Sequence, residues 1–147
     1  MSQRLEAGPA GARILVAEDN AVNQRLMSKL LAKLGHAVEI AANGRLAVQA
    51  VTAENYDVIL MDCLMPEMDG FEAAREIRRI ESGARRIPII ALTANAMKGD
   101  RDRCLEAGMD DYLSKPVDPA LLDTTIRRWT ASAEPAVKLP RSGQYDR

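Results

Sequence analysis

Five polar residues stand directly after or close behind short apolar runs of this sequence. Glu18 and Asp19 follow ILVA, Asp62 follows VILM, Thr93 follows IIAL, and Lys115 follows YLS. Three carboxylates brought within a few ångströms of one another repel strongly, and a bound cation relieves that repulsion. Ligation by oxygen alone suits Mg²⁺, with Mn²⁺ as the alternative cation. A metal ion beside an ammonium group favours phosphoryl transfer, which depends mainly on positioning and charge neutralisation.

The residue types indicate a role for each side chain at such a site. Asp62 can act as a carboxylate nucleophile and form an aspartyl phosphate. Thr93 could donate a hydrogen bond to the phosphoryl group, and Lys115 could pair with its charge. Taken alone, each residue also has a structural explanation, because acids and threonines commonly cap the helix that follows a strand. Their complementary chemistry at four strand ends favours the functional interpretation.

Short apolar segments that alternate with helical patterns predict the fold class. The predicted strands are Ile14–Ala17, Ala37–Ala41, Val58–Met61, Ile87–Leu92 and Asp111–Leu113. Several are continuously apolar, which is typical of parallel strands covered on both faces. Strand and helix alternate five times, so we expect an α/β fold with a parallel sheet and helices on both faces. Such sheets bind ligands beyond the carboxyl ends of their strands.

Helical spacing of apolar residues predicts the elements between the strands. A helix over Ala21–Leu34 carries a stripe of Val22, Leu26, Leu30 and Leu34, with Met27 and Leu31, and ends at Gly35. A second pattern covers Phe71–Ser82. The last helix begins at Asp118-Pro119, and we expect it to turn Leu121, Leu122, Thr125, Ile126 and Trp129 inward. The segment Ala96–Ala107 has a thin apolar stripe interrupted by Gly99, which suits an element that shifts.

Length and composition narrow the domain organisation and the function class. The 147 residues suit a flexible arm over 1–12, one domain over 13–129 and a flexible tail over 130–147. A net charge of −1 and only 3% aromatic residues argue against nucleic-acid binding. No signal peptide or apolar run of about 20 residues is apparent, and the two cysteines match no metal spacing or disulfide framework. We therefore expect a cytoplasmic domain without a membrane segment.

Four motifs carry a resemblance to a known family. The stretches ILVAEDNAVNQ, VILMDCLMPEMDGFEA, PIIALTANA and DDYLSKPV resemble receiver domains of bacterial two-component response regulators. They are most similar to the receiver domains of hybrid sensor histidine kinases. The match covers residues 13–129, and the ordered set of motifs is highly specific. The resemblance implies a flavodoxin-like fold with five parallel strands in the order 2-1-3-4-5.

The resemblance also implies the metal site and the phosphoacceptor. Asp62 matches the residue that accepts the phosphoryl group. Asp19 matches the direct Mg²⁺ ligand, and Glu18 matches a second acid that often acts through water. The backbone carbonyl of Leu64 matches the third protein ligand.

The switching residues are implied in the same way. Thr93 matches the switch hydroxyl, and Lys115 matches the lysine that pairs with the phosphate. The Lys115-Pro116 bond matches one that is usually cis in the family. Tyr112 matches the aromatic residue that turns inward when the hydroxyl moves toward phosphate.

The expected function is that of a phosphoacceptor in a His–Asp phosphorelay. A histidine kinase or histidine phosphotransfer protein would donate the phosphoryl group to Asp62, switching the face formed by the fourth helix, fifth strand and fifth helix. His36, the only histidine, lies at the amino end of a strand, where a surface or satisfied structural role is expected. The donor must therefore be a partner or a small-molecule phosphate. We expect a monomer or weak dimer and no enzymatic activity beyond self-phosphorylation and its reversal.

Two other functions remain open from the sequence. An aspartyl-nucleophile phosphohydrolase of the haloacid-dehalogenase type needs an acid two residues after the nucleophile, and Leu64 occupies that position. A receiver that serves only as a docking surface conflicts with the complete set of acids, hydroxyl and lysine. We interpret Cys63 as a core residue on the face opposite Asp62, and Cys104 as half-buried on a helix.

Overall fold

Strands and helices alternate along the whole described chain. The structure, a computed structural model, describes residues 11–81, 86–94 and 98–131. The elements are β1 Arg13–Ala17, α1 Ala21–Lys33, β2 Ala37–Ala41, α2 Gly44–Ala53, β3 Val58–Asp62, α3 Gly70–Ile80, β4 Ile89–Thr93, α4 Lys98–Glu106, β5 Asp111–Ser114 and α5 Pro119–Ala131. All strand pairs are parallel, and the sheet order is β2-β1-β3-β4-β5. The predicted fold class and strand order are confirmed.

Most element boundaries lie within two residues of the predictions. β4 begins at Ile89 rather than Ile87, where Pro88 offers no N–H to a strand ladder. β3 includes Asp62 and β4 includes Thr93, so both side chains project from the last residue of a strand. Helix α5 continues to Ala131, beyond the predicted domain end at 129. Residues 1–10 of the predicted arm and 132–147 of the predicted tail lie outside the described residues.

The sheet separates two cores because successive strand residues point to opposite faces. One core packs beneath α2, α3 and α4, and its strand residues include Leu15, Ile59, Met61, Ile89 and Ala91. The other packs beneath α1 and α5, and its strand residues include Ile14, Val16, Val58, Leu60, Ile90 and Leu92. Both faces are therefore covered, as the continuously apolar strands predicted.

Two predicted helix faces are partly wrong. Leu121 was expected to point inward, but 49% of it is exposed. At about 100° per residue, Leu121 lies just outside the arc occupied by the buried residues of α5, Leu122, Thr125 and Ile126, and the half-buried Trp129. On α1 the core-facing residues are Met27 and Leu31, with Leu30 at the margin. The remaining members of the apolar stripe, Val22, Leu26 and Leu34, are exposed.

Cys104 and His36 are more buried than the sequence indicated. Cys63 packs in the core beneath α3, as predicted, but Cys104 is fully buried rather than half-buried. His36 is buried, and its Nδ1 accepts a hydrogen bond from the backbone N–H of Ala12 at 3.0 Å. Its Nε2 is buried and has no hydrogen-bond partner among the described residues, so the expected surface or satisfied role is only half correct. Burial lowers the pKa of this imidazole.

A largely buried guanidinium joins three elements at the amino ends of β4 and β5. Arg78 of α3 donates hydrogen bonds to the carbonyls of Gly108 at 2.8 Å and Ile87 at 2.9 Å. It also pairs with Asp110 at 2.7 Å and with Glu81 at 3.0 Å.

On the other face of the sheet, Asp111, which follows Asp110 in the sequence, accepts a hydrogen bond from the Trp129 indole at 2.8 Å. β5 is thus anchored to helices on both faces.

No described helix combines the length and the apolar character that a membrane-spanning segment requires.

Replacing Arg78 with alanine should lower the free energy of unfolding by about 2 kcal/mol, because the largely buried Glu81 would lose its ion-pair partner and Asp110 would keep only the exposed Arg86. Urea denaturation measures this change. Arg79→Ala is the matched control, since that neighbouring arginine pairs with Glu76 on the exposed surface. Equal stabilities of the two variants would contradict the assigned role of Arg78.

Candidate functional site

The carboxyl ends of four strands bring the predicted polar residues to one edge of the sheet. Asp62 and Thr93 end β3 and β4, while Glu18 and Lys115 follow β1 and β5. Backbone hydrogen bonds continue past the strand ends, with Glu18 N–H donating to the carbonyl of Ala41 at 3.0 Å and Lys115 N–H to that of Thr93 at 2.8 Å. The positions of these side chains are therefore set by the sheet itself.

The three acids form a cluster suited to a hard cation. One carboxylate oxygen from each of Glu18, Asp19 and Asp62 lies within 4.8 Å of the others. Glu18 and Asp62 are buried, and Asp19 is exposed. Oxygen donors that leave one side open to solvent fit Mg²⁺, which retains several waters and accepts phosphate oxygens. The residues present thus fit the magnesium ion expected from the sequence.

Lys115 provides a positive charge beside the cluster. Its Nζ lies 3.0 Å from Oδ2 of Asp62 and 3.5 Å from Oε1 of Glu18. Burial raises the pKa of the Asp62 carboxyl, and nearby Glu18 raises it further, whereas the hydrogen bond from Lys115 opposes this change. Burial alone would lower the pKa of the Lys115 ammonium, but its contacts with Asp62 and Glu18 outweigh burial and raise it. The lysine therefore stays charged and partly offsets the acids.

The start of α1 holds Glu18 in place, through residues that the sequence analysis did not identify. Oε2 of Glu18 accepts hydrogen bonds from the backbone N–H of Asn20 at 3.1 Å and from the Asn23 side chain at 3.4 Å. Asn20 also caps α1, because its side chain accepts a hydrogen bond from Asn23 N–H at 3.0 Å. The sequence did contain a signal for these residues, because Asn20 is a favoured N-cap residue and Asn23 follows it by three positions at the start of α1.

The loop between β3 and α3 requires a glycine close to the phosphoacceptor candidate. Gly70 N–H donates to the Cys63 carbonyl at 2.9 Å. A Cβ at Gly70 would lie 2.2 Å from the backbone oxygen of Asp62, so no other residue fits without displacement. Asp69 and Glu72 form a capping box that starts α3 here. The Asp-Gly pair thus brings α3 against the end of β3.

The acid cluster lies in a cavity of about 370 Å³. Six of the predicted site residues line it: Glu18, Asp19, Asp62, Leu64, Thr93 and Lys115. Tyr112 does not line this cavity; it is partly buried and packs against the core beneath α3 and α4. The cavity wall also includes Phe71 of α3 and Arg103 of α4, neither of which sequence reasoning assigned to the site. Phe71 was interpreted as part of the apolar repeat of α3, and no motif marks the face of α4. The Lys115-Pro116 bond is cis, as the resemblance implied.

Curated relatives of this chain are much longer proteins. The hybrid signal transduction protein dokA of Dictyostelium discoideum is 46% identical over 121 residues, which cover 82% of this chain and 7% of that protein. Histidine kinase 1 of Arabidopsis thaliana is 43% identical over a region that covers 79% of this chain and 12% of that protein. The chain therefore corresponds to a small part of these relatives.

Solved structures and a family model agree with the fold. The receiver domain of sensor histidine kinase PA1611 from Pseudomonas aeruginosa, solved with a magnesium ion coordinated in its active site cleft, is 52% identical with a TM-score of 0.77. That similarity covers 84% of this chain and all of the other. A co-crystal structure of Ypd1 with the receiver domain of Ssk1 from Saccharomyces cerevisiae gives a TM-score of 0.77 at 33% identity, covering 82% of this chain and 90% of the matched chain. Since the family model for the response regulator receiver domain also matches residues 14–127, this chain belongs to that family.

Proposed function

We propose that Asp62 accepts a phosphoryl group from the phosphohistidine of a partner in a Mg²⁺-dependent phosphorelay. The observation that carries this proposal is the meeting of three carboxylates, with oxygens within 4.8 Å, and an ammonium 3.0 Å from Asp62. This cluster lines an open cavity that a donor can reach. The chain then acts as a phosphorylation switch rather than as an enzyme with its own substrate.

The transfer step follows from the positions of these groups. A carboxylate oxygen of Asp62 attacks phosphorus, the new O–P bond forms, and the P–N bond to the donor imidazole breaks with its electron pair left on nitrogen. Mg²⁺ held by Glu18, Asp19 and Asp62 would neutralise charge on the phosphoryl oxygens. Lys115 exchanges its contact with Asp62 for one with a phosphoryl oxygen, and the Thr93 hydroxyl donates a hydrogen bond to another.

The proposed ligands of the metal come from two strand ends and one loop. Asp19 and Asp62 would bind it directly, Glu18 would act directly or through water, and the Leu64 carbonyl would complete the protein ligands. The position of Leu64 on the cavity wall supports this assignment, as does the magnesium-bound receiver domain of PA1611. Mn²⁺ is the alternative cation, since it also prefers oxygen ligands.

Incubation with acetyl phosphate and Mg²⁺ should add one phosphoryl group to the wild-type chain, observed by intact-mass spectrometry. Asp62→Asn should remain unlabelled because an amide is not a nucleophile at this step. EDTA should abolish labelling of the wild type, since the carboxylates then lack their counter-cation. Asp123→Asn, on α5 outside the cavity, serves as the matched control and should label normally.

Absence of any label on the wild type would contradict the phosphoacceptor proposal and favour a docking role. Labelling that persists in Asp62→Asn would show that a different residue accepts the phosphoryl group. Sustained release of phosphate from phosphomonoesters over many turnovers would favour the phosphohydrolase instead.

An apolar surface beside the cavity supports a protein as the phosphoryl donor. Helix α1 begins at the cavity wall, where Asn20 and Asn23 lie, and it exposes Val22 and Leu26. Val22 and Leu26 are one helical turn apart and so form a contiguous patch, and an apolar patch rimmed by polar residues is typical of a protein interaction site. The similarity to the Ssk1 receiver solved with the phosphotransfer protein Ypd1 supports a donor of that class. We infer that the donor covers this part of α1 while presenting its phosphohistidine to Asp62.

Leu26→Asp should slow phosphotransfer from a donor protein at least tenfold, because a buried interface position would then hold an unpaired charge. Its labelling by acetyl phosphate should not change. The donor for this comparison is whichever phosphorylated kinase or phosphotransfer protein labels the wild type fastest. Leu121→Asp is the matched control, since Leu121 on α5 is 49% exposed and Leu26 is 54% exposed. Equal effects of the two substitutions would contradict docking on α1.

Phosphorylation would be transmitted through Thr93 to the face formed by α4, β5 and α5. Thr93 is buried at the end of β4, and its carbonyl accepts the N–H of Lys115, so movement at one strand end reaches the next. Helix α4 is weakly anchored: of the side chains from 101 to 106, Cys104 alone is buried. Tyr112 of β5 is only partly buried, which leaves room for a change in its packing.

In NMR spectra of the wild type, beryllofluoride with Mg²⁺ should shift the amide signals of Tyr112 and α4 as well as those around Asp62. Thr93→Val, which lacks the hydroxyl, should confine the changes to the cavity. Thr93→Ser retains the hydroxyl and should restore the distant shifts. If distant shifts are absent from the wild type, or survive in Thr93→Val, the proposed route is wrong.

The larger assembly is also a proposal. The chain spans between 4% and 15% of the length of eight curated relatives, most of them named as hybrid or histidine kinases. A hybrid kinase would supply the phosphohistidine from its own chain or pass the phosphoryl group to a phosphotransfer protein. We propose a monomer or weak dimer for the receiver itself.

A further inference from the structure

Arg103 occupies an unusual position for an exposed arginine. It lies on α4, and its guanidinium carbon stands 4.2 Å from the centroid of the Phe71 ring. Phe71 is buried at the start of α3, so the ring is a fixed platform. Both residues line the cavity that contains Asp62 and Lys115. The arginine therefore stacks on the wall of the phosphorylation site instead of extending into solvent.

The guanidinium retains its capacity to bind an anion. In the part of the chain that the structure describes, it makes no side-chain hydrogen bond or ion pair, and its recorded contact is the Phe71 ring. Stacking occupies one face of the guanidinium plane and leaves the N–H groups at its edge available. Arg101, on the same helix, is exposed and does not line the cavity. Contact with the cavity therefore distinguishes Arg103 from Arg101 on the same helix.

The inner site lacks a positive charge that is free to attract the phosphoryl group of a donor. Lys115 is already engaged by Asp62 at 3.0 Å and by Glu18 at 3.5 Å. Mg²⁺ and Lys115 together would only offset the three carboxylates, so the inner site offers no surplus positive charge to an approaching phosphoryl dianion. Arg103 supplies one at the cavity wall. A planar guanidinium also suits bidentate contact with two phosphate oxygens.

We propose that Arg103, held by Phe71, binds the phosphoryl group of an incoming donor before transfer to Asp62, which rests on the proposed phosphoacceptor function. The ligand class is the dianionic phosphoryl group of small acyl phosphates and phosphoramidates. These donors depend on Arg103 most, because they have no protein surface with which to dock. Arg103 is a binding residue in this account and takes no part in bond formation.

The test measures the initial labelling rate against the concentration of acetyl phosphate, at fixed Mg²⁺, by intact-mass spectrometry. Arg103→Gln should raise the half-saturating concentration roughly two- to fivefold, the effect of one solvent-exposed charge pair, and leave the maximal rate unchanged. Arg103→Lys should recover part of the loss by restoring the charge. Arg101→Gln removes the same charge from the same helix and should behave as the wild type.

Three results would overturn the proposal. Arg103→Gln could label as the wild type does, Arg101→Gln could match its defect, or the maximal rate could fall while the half-saturating concentration stays constant. The last result would indicate that Arg103 only supports α4 or Phe71.

A binding measurement separates this proposal from the proposed function. With Mg²⁺ present, titration with inorganic phosphate should shift the NMR signal of the Arg103 Nε–H group and leave that of Arg101 in place. A wild type that never labels but shows this shift would refute the phosphoacceptor role and keep the anion site. If phosphate does not move the Arg103 signal, the anion site is refuted whatever the labelling shows.

Discussion

Negative charge is concentrated at one edge of the sheet, and the role of each neighbouring residue follows from how that charge is balanced. Carboxylates within 4.8 Å of one another are costly to hold together unless cations balance them. The strand order places β1 beside β3, which brings Glu18 and Asp19 next to Asp62. β4 and β5 then supply Thr93 and Lys115 on the other side. A site built this way is suited to a divalent cation, because the cation reduces the repulsion that the fold imposes.

The surrounding elements differ in how firmly they are held. The start of α1 fixes Glu18 through Asn20 and Asn23, and Gly70 lets α3 approach the backbone of Asp62 closely. At the opposite end of the sheet, the Arg78 network joins α3 to the segments that precede β4 and β5. Of the described side chains of helix α4, residues 101–106, Cys104 alone is buried, and Arg103 lies on the cavity wall. The proposed switch would act on this helix while the rest of the frame stays in place.

The sequence was sufficient to predict the sheet, its order through the family resemblance, and the residues at the strand ends. Those features follow from continuous apolar runs and from what stands after them. Side-chain placement on helix surfaces was harder to predict. Leu121 lies just outside the buried arc of α5, and Cys104 is buried by packing that the pattern of α4 does not reveal. Arg103 could not be assigned to the site, because its position depends on how α4 packs beside Phe71 and on no local motif.

The most direct test of the central claim is a crystal structure of the chain with Mg²⁺ and beryllofluoride. We expect beryllium bonded to a carboxylate oxygen of Asp62, with the metal bound by Asp19, Asp62 and the Leu64 carbonyl. We also expect Lys115 to have moved from Asp62 to a fluorine atom. Beryllofluoride bound elsewhere, or a metal ion that avoids Asp19 and Asp62, would contradict the claim that this cluster forms a cation-dependent phosphoryl site.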